Sequence, residues 1–197
     1  MDLYTTIASP AEAVFTEKRS KFLAFAFPVE TTDQVKQIVD SVSKKYYDAR
    51  HVCYAYMIGP ERTLFRANDN GEPSGTAGKP ILGQINSLNL TNVLVVVVRY
   101  FGGIKLGTSG LIAAYRQAAH DALNAATLLE CHVTKDISVS FDYEKINDVM
   151  KITREKGVKI LSQNFDNICS ATIRVELDCL PRVNALLTDI DGLIIQE

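Results

Sequence analysis

Two glycine-rich segments of the chain carry the side chains that are best suited to bind an anion. Residues 68–80 combine two carboxylates with hydroxyls and glycines, and residues 99–110 combine two cations with two aromatic rings and further glycines. Each segment leads into a predicted helix, and the first N–H groups of a helix have no partner within it. Both segments therefore predict an anion-binding surface.

The candidate binding residues divide between these segments. Carboxylates can bind a metal or act as a base, hydroxyls can contact phosphate and cations can pair with it. Rings can stack on a base, and glycines give the backbone freedom. The set is Asp69, Gly71, Glu72, Ser74, Gly75, Thr76 and Gly78 from the first segment, and Arg99, Tyr100, Gly102, Gly103, Lys105 and Gly107 from the second.

A purely structural interpretation stays open for both segments. The first can be a rigid loop that covers a sheet edge, shaped by its prolines and glycines. The second can be an ordinary strand-to-helix connection in which Arg99 only pairs with a carboxylate. A hydroxyl of Thr108 or Ser109 can cap the helix that follows.

No nucleotide-binding or hydrolase motif accompanies the candidates. A P-loop requires G-x-x-x-x-G-K-[ST], but Pro73 stands five residues before Gly78, and Lys79 is followed by Pro80. The patterns G-x-G-x-x-G, H-E-x-x-H and G-x-S-x-G are also absent from the sequence. We therefore expect binding rather than catalysis, with a phosphate-handling enzyme that uses residues 72–78 as the alternative.

Two pairs of soft ligands raise the question of a metal. His51 and Cys53 lie two apart on a predicted strand, and Cys131 and His132 are adjacent. The spacing matches none of the usual zinc patterns, and a packed cysteine beside a hydrogen-bonded histidine is the commoner outcome. We predict neither a metal nor a cofactor.

Composition limits the class of protein. The 197 residues are 47% hydrophobic, which suits one large or two small domains, and the net charge of −2 confines any anion site to a local patch. The longest apolar run is far shorter than the ~20 residues of a membrane span, and residues 1–4 do not resemble a signal peptide. With no C-x-x-C pair among four cysteines, these features favour a cytoplasmic protein that contacts no membrane.

Hydrophobic periodicity predicts the elements that position the two segments. Residues 93–98 are an apolar, β-branched run typical of a strand buried on both faces, and a helix follows from Gly107 to about Leu129. Further strands are predicted over 11–19, 21–28, 51–58 and 62–67, and helices over 31–45 and 81–88.

The remainder of the chain predicts a β-α-β-β-α-β order, the ferredoxin-like split unit. Its first helix covers 143–156 and ends at Gly157, and Asp166 and Asn167 form a hairpin turn. The strands cover 137–141, 158–165, 169–177 and 193–195, and the second helix covers 181–188. This half has no glycine-rich loop and no cluster of reactive groups.

The glycine-rich segments resemble bacterial members of the IMPACT/YigZ family. The likeness rests on D-N-G-E-P-S-G-T-A-G-K-P-I-L at 69–82 and V-V-V-R-Y-F-G-G-I-K-L-G at 96–107. H-V-C-Y-A-Y at 51–56 and R-S-K-F at 19–22 support it. These motifs are long and specific, and they span the first half of the chain.

The resemblance implies an α+β fold in two domains. Residues 1–132 would form an IMPACT-type N-terminal domain with the fold of domain IV of elongation factor G and of the second domain of a small-subunit ribosomal protein. That fold contains an uncommon left-handed β-α-β crossover. Residues 133–197 would form a ferredoxin-like domain that resembles domain V of the same factor.

The resemblance also suggests a role. Eukaryotic relatives regulate translation by competing for the ribosome-associated activator of a stress kinase, whereas bacterial members have no settled biochemical activity. It therefore implies a translation-linked regulatory or binding protein whose partner is RNA, the ribosome or a translation-associated protein. The same fold family includes small-molecule kinases with a Pro-x-Ser-x-Gly type loop, which residues 73–78 faintly resemble, so the enzyme alternative stays open. The oligomeric state is not predicted.

Overall fold

The computed structural model describes residues 3–166 and 168–196, so the predicted turn at Asp166 and Asn167 lies partly outside the described residues. The chain divides into two compact units, one of Tyr4–Cys131 and one that contains the residues from His132 onward. Five α-helices and three sheets occur within the described ranges. The predicted α+β class is confirmed.

The first unit is built on a five-stranded sheet in which all neighbouring strands are antiparallel. Its elements are β1 (Leu3–Ile7), β2 (Ala11–Glu17), β3 (Ser20–Pro28), α1 (Thr32–Lys45), β4 (His51–Ile58), β5 (Leu64–Asn68), α2 (Gly78–Ser87), β6 (Val93–Tyr100), α3 (Gly107–Ala125) and β7 (Leu128–His132). The strand order is β2-β3-β6-β4-β5, which places β6 at the centre.

The central strand β6 is buried on both faces, as predicted. Val93, Val95 and Val97 pack into the core that α2 and α3 cover, and the alternate residues pack into the core that α1 covers. Because successive side chains of a strand point to opposite faces, Arg99 lies on the α2–α3 face and Tyr100 on the α1 face.

Helix α1 begins with the capping box that its sequence allows. The Oγ1 of Thr31 accepts a hydrogen bond from the Gln34 backbone N–H, and the Gln34 side chain accepts one from the Thr31 N–H. Buried Val35 and Val42 then fix the face that packs against the sheet. The helix predicted over 31–45 is confirmed.

Two expectations for the first unit were wrong. The helix predicted to reach Leu129 ends at Ala125, and residues after it form β7, which pairs with β1 in a small sheet. The Ala8 N–H donates to the Thr127 carbonyl across this connection. Apolar residues at 128 and 129 fit a helix or a strand equally well, and only a pairing partner distant in sequence distinguishes the two. Helix α2 also begins earlier than predicted, at Gly78.

The second unit has the predicted β-α-β-β-α-β order. It comprises β8 (Thr134–Phe141), α4 (Ile146–Ile152), β9 (Val158–Phe165), β10 (Cys169–Glu176), α5 (Leu180–Thr188) and β11 (Ile194–Gln196), with the antiparallel sheet order β11-β8-β10-β9. The first helix is shorter than the predicted 143–156, since a 3₁₀ turn at Tyr143–Lys145 precedes it.

Candidate anion-binding site

A cleft of about 480 Å³ opens on the α2–α3 side of the first unit, beside the end of β6. Of the predicted binding residues, it brings together Gly71, Glu72, Arg99, Lys105 and Gly107. The two glycine-rich segments therefore meet, although they are far apart in sequence. Phe101, one of the two rings expected to stack on a base, also lines the cleft. Arg50, His51 and Thr108 line it as well and were not among the predicted binding residues.

The floor of the cleft is a buried ion pair. The Nη1 of Arg99 donates to the Oε1 of Glu72 over 2.6 Å, and the two side chains are only 7% and 3% exposed. Removing either partner would leave a charge buried without compensation. The structural interpretation of Arg99, pairing with a carboxylate, is therefore observed.

The guanidinium of Arg99 lies close to two aromatic rings. Its central carbon is 5.6 Å from the ring centroid of Phe22 and 5.8 Å from that of Phe101, distances at which cation–π attraction operates. Among the described residues, no hydrogen-bond acceptor reaches its Nε–H, which is buried. Arg99 thus lines the cleft with a hydrogen-bond donor still free.

His51 contributes a ring nitrogen to the same floor. Its Nδ1 lies 2.8 Å from the carbonyl oxygen of Asn70 and must donate to it, because a carbonyl can only accept. Its Nε2 then lies 3.8 Å from the Oε2 of Glu72. The sequence offered His51 as a metal ligand, but its partners are a backbone carbonyl and a carboxylate.

Below the ion pair, a hydroxyl and a thiol extend the polar network. Tyr115, fully buried in α3, donates its hydroxyl to the Oε1 of Glu72 over 2.8 Å. The thiol of Cys53 lies 3.4 Å from that hydroxyl and donates to the nearer Asp69 carbonyl oxygen, at 2.9 Å. Burial raises the pKa of Cys53 to about 12, and burial together with the neighbouring Cys53 raises the pKa of Tyr115. Both groups therefore stay protonated and act as donors.

The N-terminus of α2 is closed by a side chain of the preceding loop. Asp69 accepts hydrogen bonds from the backbone N–H groups of Gly75, Ala77 and Gly78 over 2.8, 3.0 and 2.8 Å. Burial alone would raise the pKa of Asp69, but the three N–H donors outweigh it and the pKa lies below its usual value. The anion at this helix start is thus Asp69 itself.

The hydroxyls of the first segment do not line the cleft. Thr76 is buried and donates its Oγ1 to the carbonyl of Pro73 over 2.6 Å, whereas Ser74 is exposed. Gly71 and Gly75 have positive φ angles of 81° and 78°, the conformation that glycine adopts without strain. These residues shape the loop that carries Glu72.

Three predicted residues of the second segment also lie outside the cleft lining. The Tyr100 hydroxyl donates to Asp48 over 2.9 Å, on the face of β6 opposite to Arg99. Gly102 packs so close to the turn between β2 and β3 that a Cβ would stand 2.0 Å from the carbonyl carbon of Arg19. Gly103 has a φ of +86°. Arg99 and Tyr100 therefore lie on opposite faces of β6, and only Arg99 lines the cleft.

The N-terminus of α3, in contrast, opens into the cleft. Its N-cap residue is Leu106, whose side chain makes no capping hydrogen bond, and the expected hydroxyl cap is not formed among the residues that the structure describes. Exposed Lys105 and Arg50 flank this helix start. Three cations and a helix N-terminus therefore surround a single carboxylate, which gives the cleft a positive field.

The remaining histidine and cysteine pairs do not form a metal centre. In the part of the chain that the structure describes, no group of three or more His, Cys, Asp or Glu side chains is placed to hold a metal ion. His132 lies 3.7 Å from the carboxylate of Glu176 instead.

Within residues 3–166 and 168–196, no helix is long and apolar enough to cross a membrane.

Comparison with known proteins identifies the family to which the domain that contains the cleft belongs. The family model described as the Impact N-terminal domain matches residues 18–123, a range that contains every residue lining the cleft. The chain belongs to the IMPACT family. It is 35% identical to the IMPACT family member YvyE of Bacillus subtilis (strain 168) over 152 residues, which are 77% of this chain and 70% of that protein.

Other IMPACT family members share more of the chain's length. The IMPACT family member YigZ of Escherichia coli (strain K12) is 28% identical over 191 residues, 96% of this chain and 94% of that protein. A crystal structure of a hypothetical protein, also 28% identical, aligns with a TM-score of 0.81 over 99% of this chain and 97% of that one. The likeness therefore extends over both units.

Proposed function

We propose that this IMPACT family member is a translation-linked, cytoplasmic RNA-binding protein whose cleft holds RNA phosphate. The observation that carries the proposal is the convergence of Arg50, Arg99 and Lys105 with the uncapped N-terminus of α3 around one cleft. Cations and helix N-termini are the groups with which proteins bind phosphate oxygens.

An aromatic ring beside the cations favours RNA over other phosphate-rich partners. Phe101 is 47% exposed and lies against Arg99 at the cleft wall. Recognition of single-stranded RNA combines backbone pairing with stacking of bases on such rings. A protein partner with a phosphorylated or acidic segment is the competing candidate.

The ribosomal part of the proposal comes from the family resemblance. Domains IV and V of elongation factor G, which the two halves are proposed to resemble, belong to a factor that works on the ribosome. Ribosomal RNA is therefore the first RNA to test. The proposed domain limits are 1–132 and 133–197.

The geometry argues against a phosphate-handling enzyme built on residues 72–78. The N–H groups of Gly75, Ala77 and Gly78 already bind Asp69, so this loop offers no open cradle for a phosphate. Glu72 is held by Arg99 and Tyr115. Its role in the proposal is to fix Arg99 in place.

The proposal is tested by co-sedimentation with ribosomes and their subunits over a salt series. The test variant is Arg50→Ala/Lys105→Ala, because both side chains are exposed and their loss leaves the buried pair intact. The matched control, Lys36→Ala/Lys44→Ala, removes the same charge from α1 on the other face of the sheet.

We expect wild type and control to bind in a salt-sensitive way, and the test variant to bind more weakly with a shallower salt slope. Each lost phosphate contact lowers that slope by about 0.7 to 1. All three proteins should melt alike, since exposed substitutions change stability by about 0.5 kcal/mol at most. Equal loss of ribosome binding in test variant and control would contradict the assignment of the binding site to the cleft. Ribosome binding whose affinity does not change with salt concentration would favour a protein partner.

A further inference from the structure

Depth and charge of the cleft point to a more specific ligand than RNA backbone in general. A volume of about 480 Å³ is that of a small-molecule site and suits one nucleotide-sized group. The floor of the cleft, formed by Glu72 and Arg99, is almost completely buried. A site of this size holds one nucleotide rather than several successive nucleotides of a strand.

The charges of the lining match a doubly charged anion. The lining contains three cations, Arg50, Arg99 and Lys105, and one carboxylate, Glu72, so that these four side chains carry a net charge of +2. A phosphate monoester carries a charge close to −2 at neutral pH because its second pKa is about 6. An internal phosphodiester carries a single negative charge.

Hydrogen-bond donors lead to the same ligand. The Nε–H of Arg99, a side chain that is more than nine-tenths buried, has no acceptor among the described residues. The first turn of α3 has no side-chain cap, and Thr108 of that turn lines the cleft. A terminal phosphate brings three acceptor oxygens to the N–H groups at this helix start.

We propose that the cleft recognises the terminal phosphate monoester of a nucleotide, either at the end of an RNA or in a free nucleotide, in preference to an internal phosphodiester. This inference rests on the proposed function and deepens it. Lys105 and Arg50 bind the phosphate at the mouth, the start of α3 binds it from one side, and Phe101 provides a surface for the base.

The first test is fluorescence anisotropy with one short single-stranded RNA in three forms, with a 5′-phosphate, a 3′-phosphate or hydroxyls at both ends. We expect a terminal phosphate to raise affinity about tenfold or more, because charge-assisted hydrogen bonds are added. Adenosine monophosphate as competitor separates the sources. Displacement at a concentration near the RNA's own Kd indicates a free nucleotide, and displacement only at much higher concentration indicates an RNA end.

A pair of variants at one position tests the helix start. Thr108→Pro removes a backbone N–H from the first turn, where proline is tolerated, and Thr108→Val removes only the hydroxyl. Because Thr108 is exposed, both variants should keep the melting temperature of the wild type. We expect Thr108→Pro to weaken binding of the phosphorylated RNA several-fold, to leave binding of the hydroxyl form unchanged, and Thr108→Val to bind as tightly as the wild type or almost so.

The outcomes separate this inference from the function beneath it. If the hydroxyl and phosphorylated RNAs bind equally well, the terminal-phosphate inference is overturned while RNA binding stands. If no RNA and no nucleotide binds, both proposals fail. Equal binding of the phosphorylated RNA by Thr108→Pro and Thr108→Val would show that the start of α3 does not bind the phosphate.

Discussion

The helices α2 and α3 begin on the same face of one sheet, but the N–H groups at their two starts have different partners. At the start of α2, the N–H groups of the N-cap residue Ala77 and of Gly78 are taken by Asp69, a residue of the preceding loop. Those of α3 have no side-chain cap and open into the cleft. The glycine-rich segment before α2 thus supplies the carboxylate that binds the start of its own helix, whereas the segment before α3 leaves its helix start facing the cleft.

The glycines at the two helix starts differ in the same way. Gly78 packs against β5 so tightly that a Cβ would stand 2.5 Å from the backbone nitrogen of Asn68. Gly107 has open space around it and a φ of +71°. One glycine permits close approach of two chain segments and the other permits a left-handed turn, so the residue type alone does not indicate a ligand.

The largest expected effect concerns the pair beneath the open helix start. Arg99→Ala removes the partner of buried Glu72 and should lower the free energy of unfolding by about 3–5 kcal/mol, as measured by urea denaturation. Arg99→Met/Glu72→Leu should recover much of the loss, because no charge then stays buried alone. The binding interpretation therefore cannot be tested with Arg99→Ala, and a wild-type midpoint for this variant would mean that the floor is not the buried pair described above.

The glycine comparison gives the next effect. Gly78→Ala should destabilise by about 3 kcal/mol, since backbone rather than a flexible side chain blocks the added Cβ. Gly107→Ala should cost about 1–2 kcal/mol, the strain of a positive φ in a residue with a Cβ. Thermal and urea unfolding of both variants measure the difference. A larger loss at Gly107 than at Gly78 would reverse our account of the two helix starts.

The smallest effect comes from the carboxylate that closes α2. Asp69→Asn keeps one acceptor oxygen but loses the charge, and should lower the free energy of unfolding by about 1 kcal/mol at pH 7. The pKa of Asp69 is lower when folded, so its stabilisation is present above the usual pKa of 3.8 and is lost as pH falls through the folded pKa.

Urea titrations at pH 7 and between pH 3 and 4 check this dependence. The difference between wild type and Asp69→Asn should begin to narrow as the pH falls below 3.8, while the exposed control Asp40→Asn should match the wild type throughout. A gap between wild type and Asp69→Asn that is constant with pH would show that the charge of Asp69 is not what stabilises the loop.

Much of the fold was predictable because it depends on local patterns. The apolar run of β6, the capping residues Thr31 and Gln34 and the alternation in the second unit each specify an element within a short window. β1 and β7 were missed because each is defined by a partner at the other end of the unit. Arg50 was missed as a cleft residue because nothing in its neighbourhood marks it as more than an exposed cation.

The sequence by itself determined the α+β class, the central buried strand, the likeness to the IMPACT family and the two segments that meet at the cleft. Only the tertiary structure decided which of their groups remain free to bind. Asp69, Thr76 and Tyr100 have partners within the protein, whereas Lys105 and the start of α3 face the cleft. The reason is physical: whether a donor is free depends on which acceptor the fold brings within about 3 Å, and that acceptor can lie anywhere in the chain.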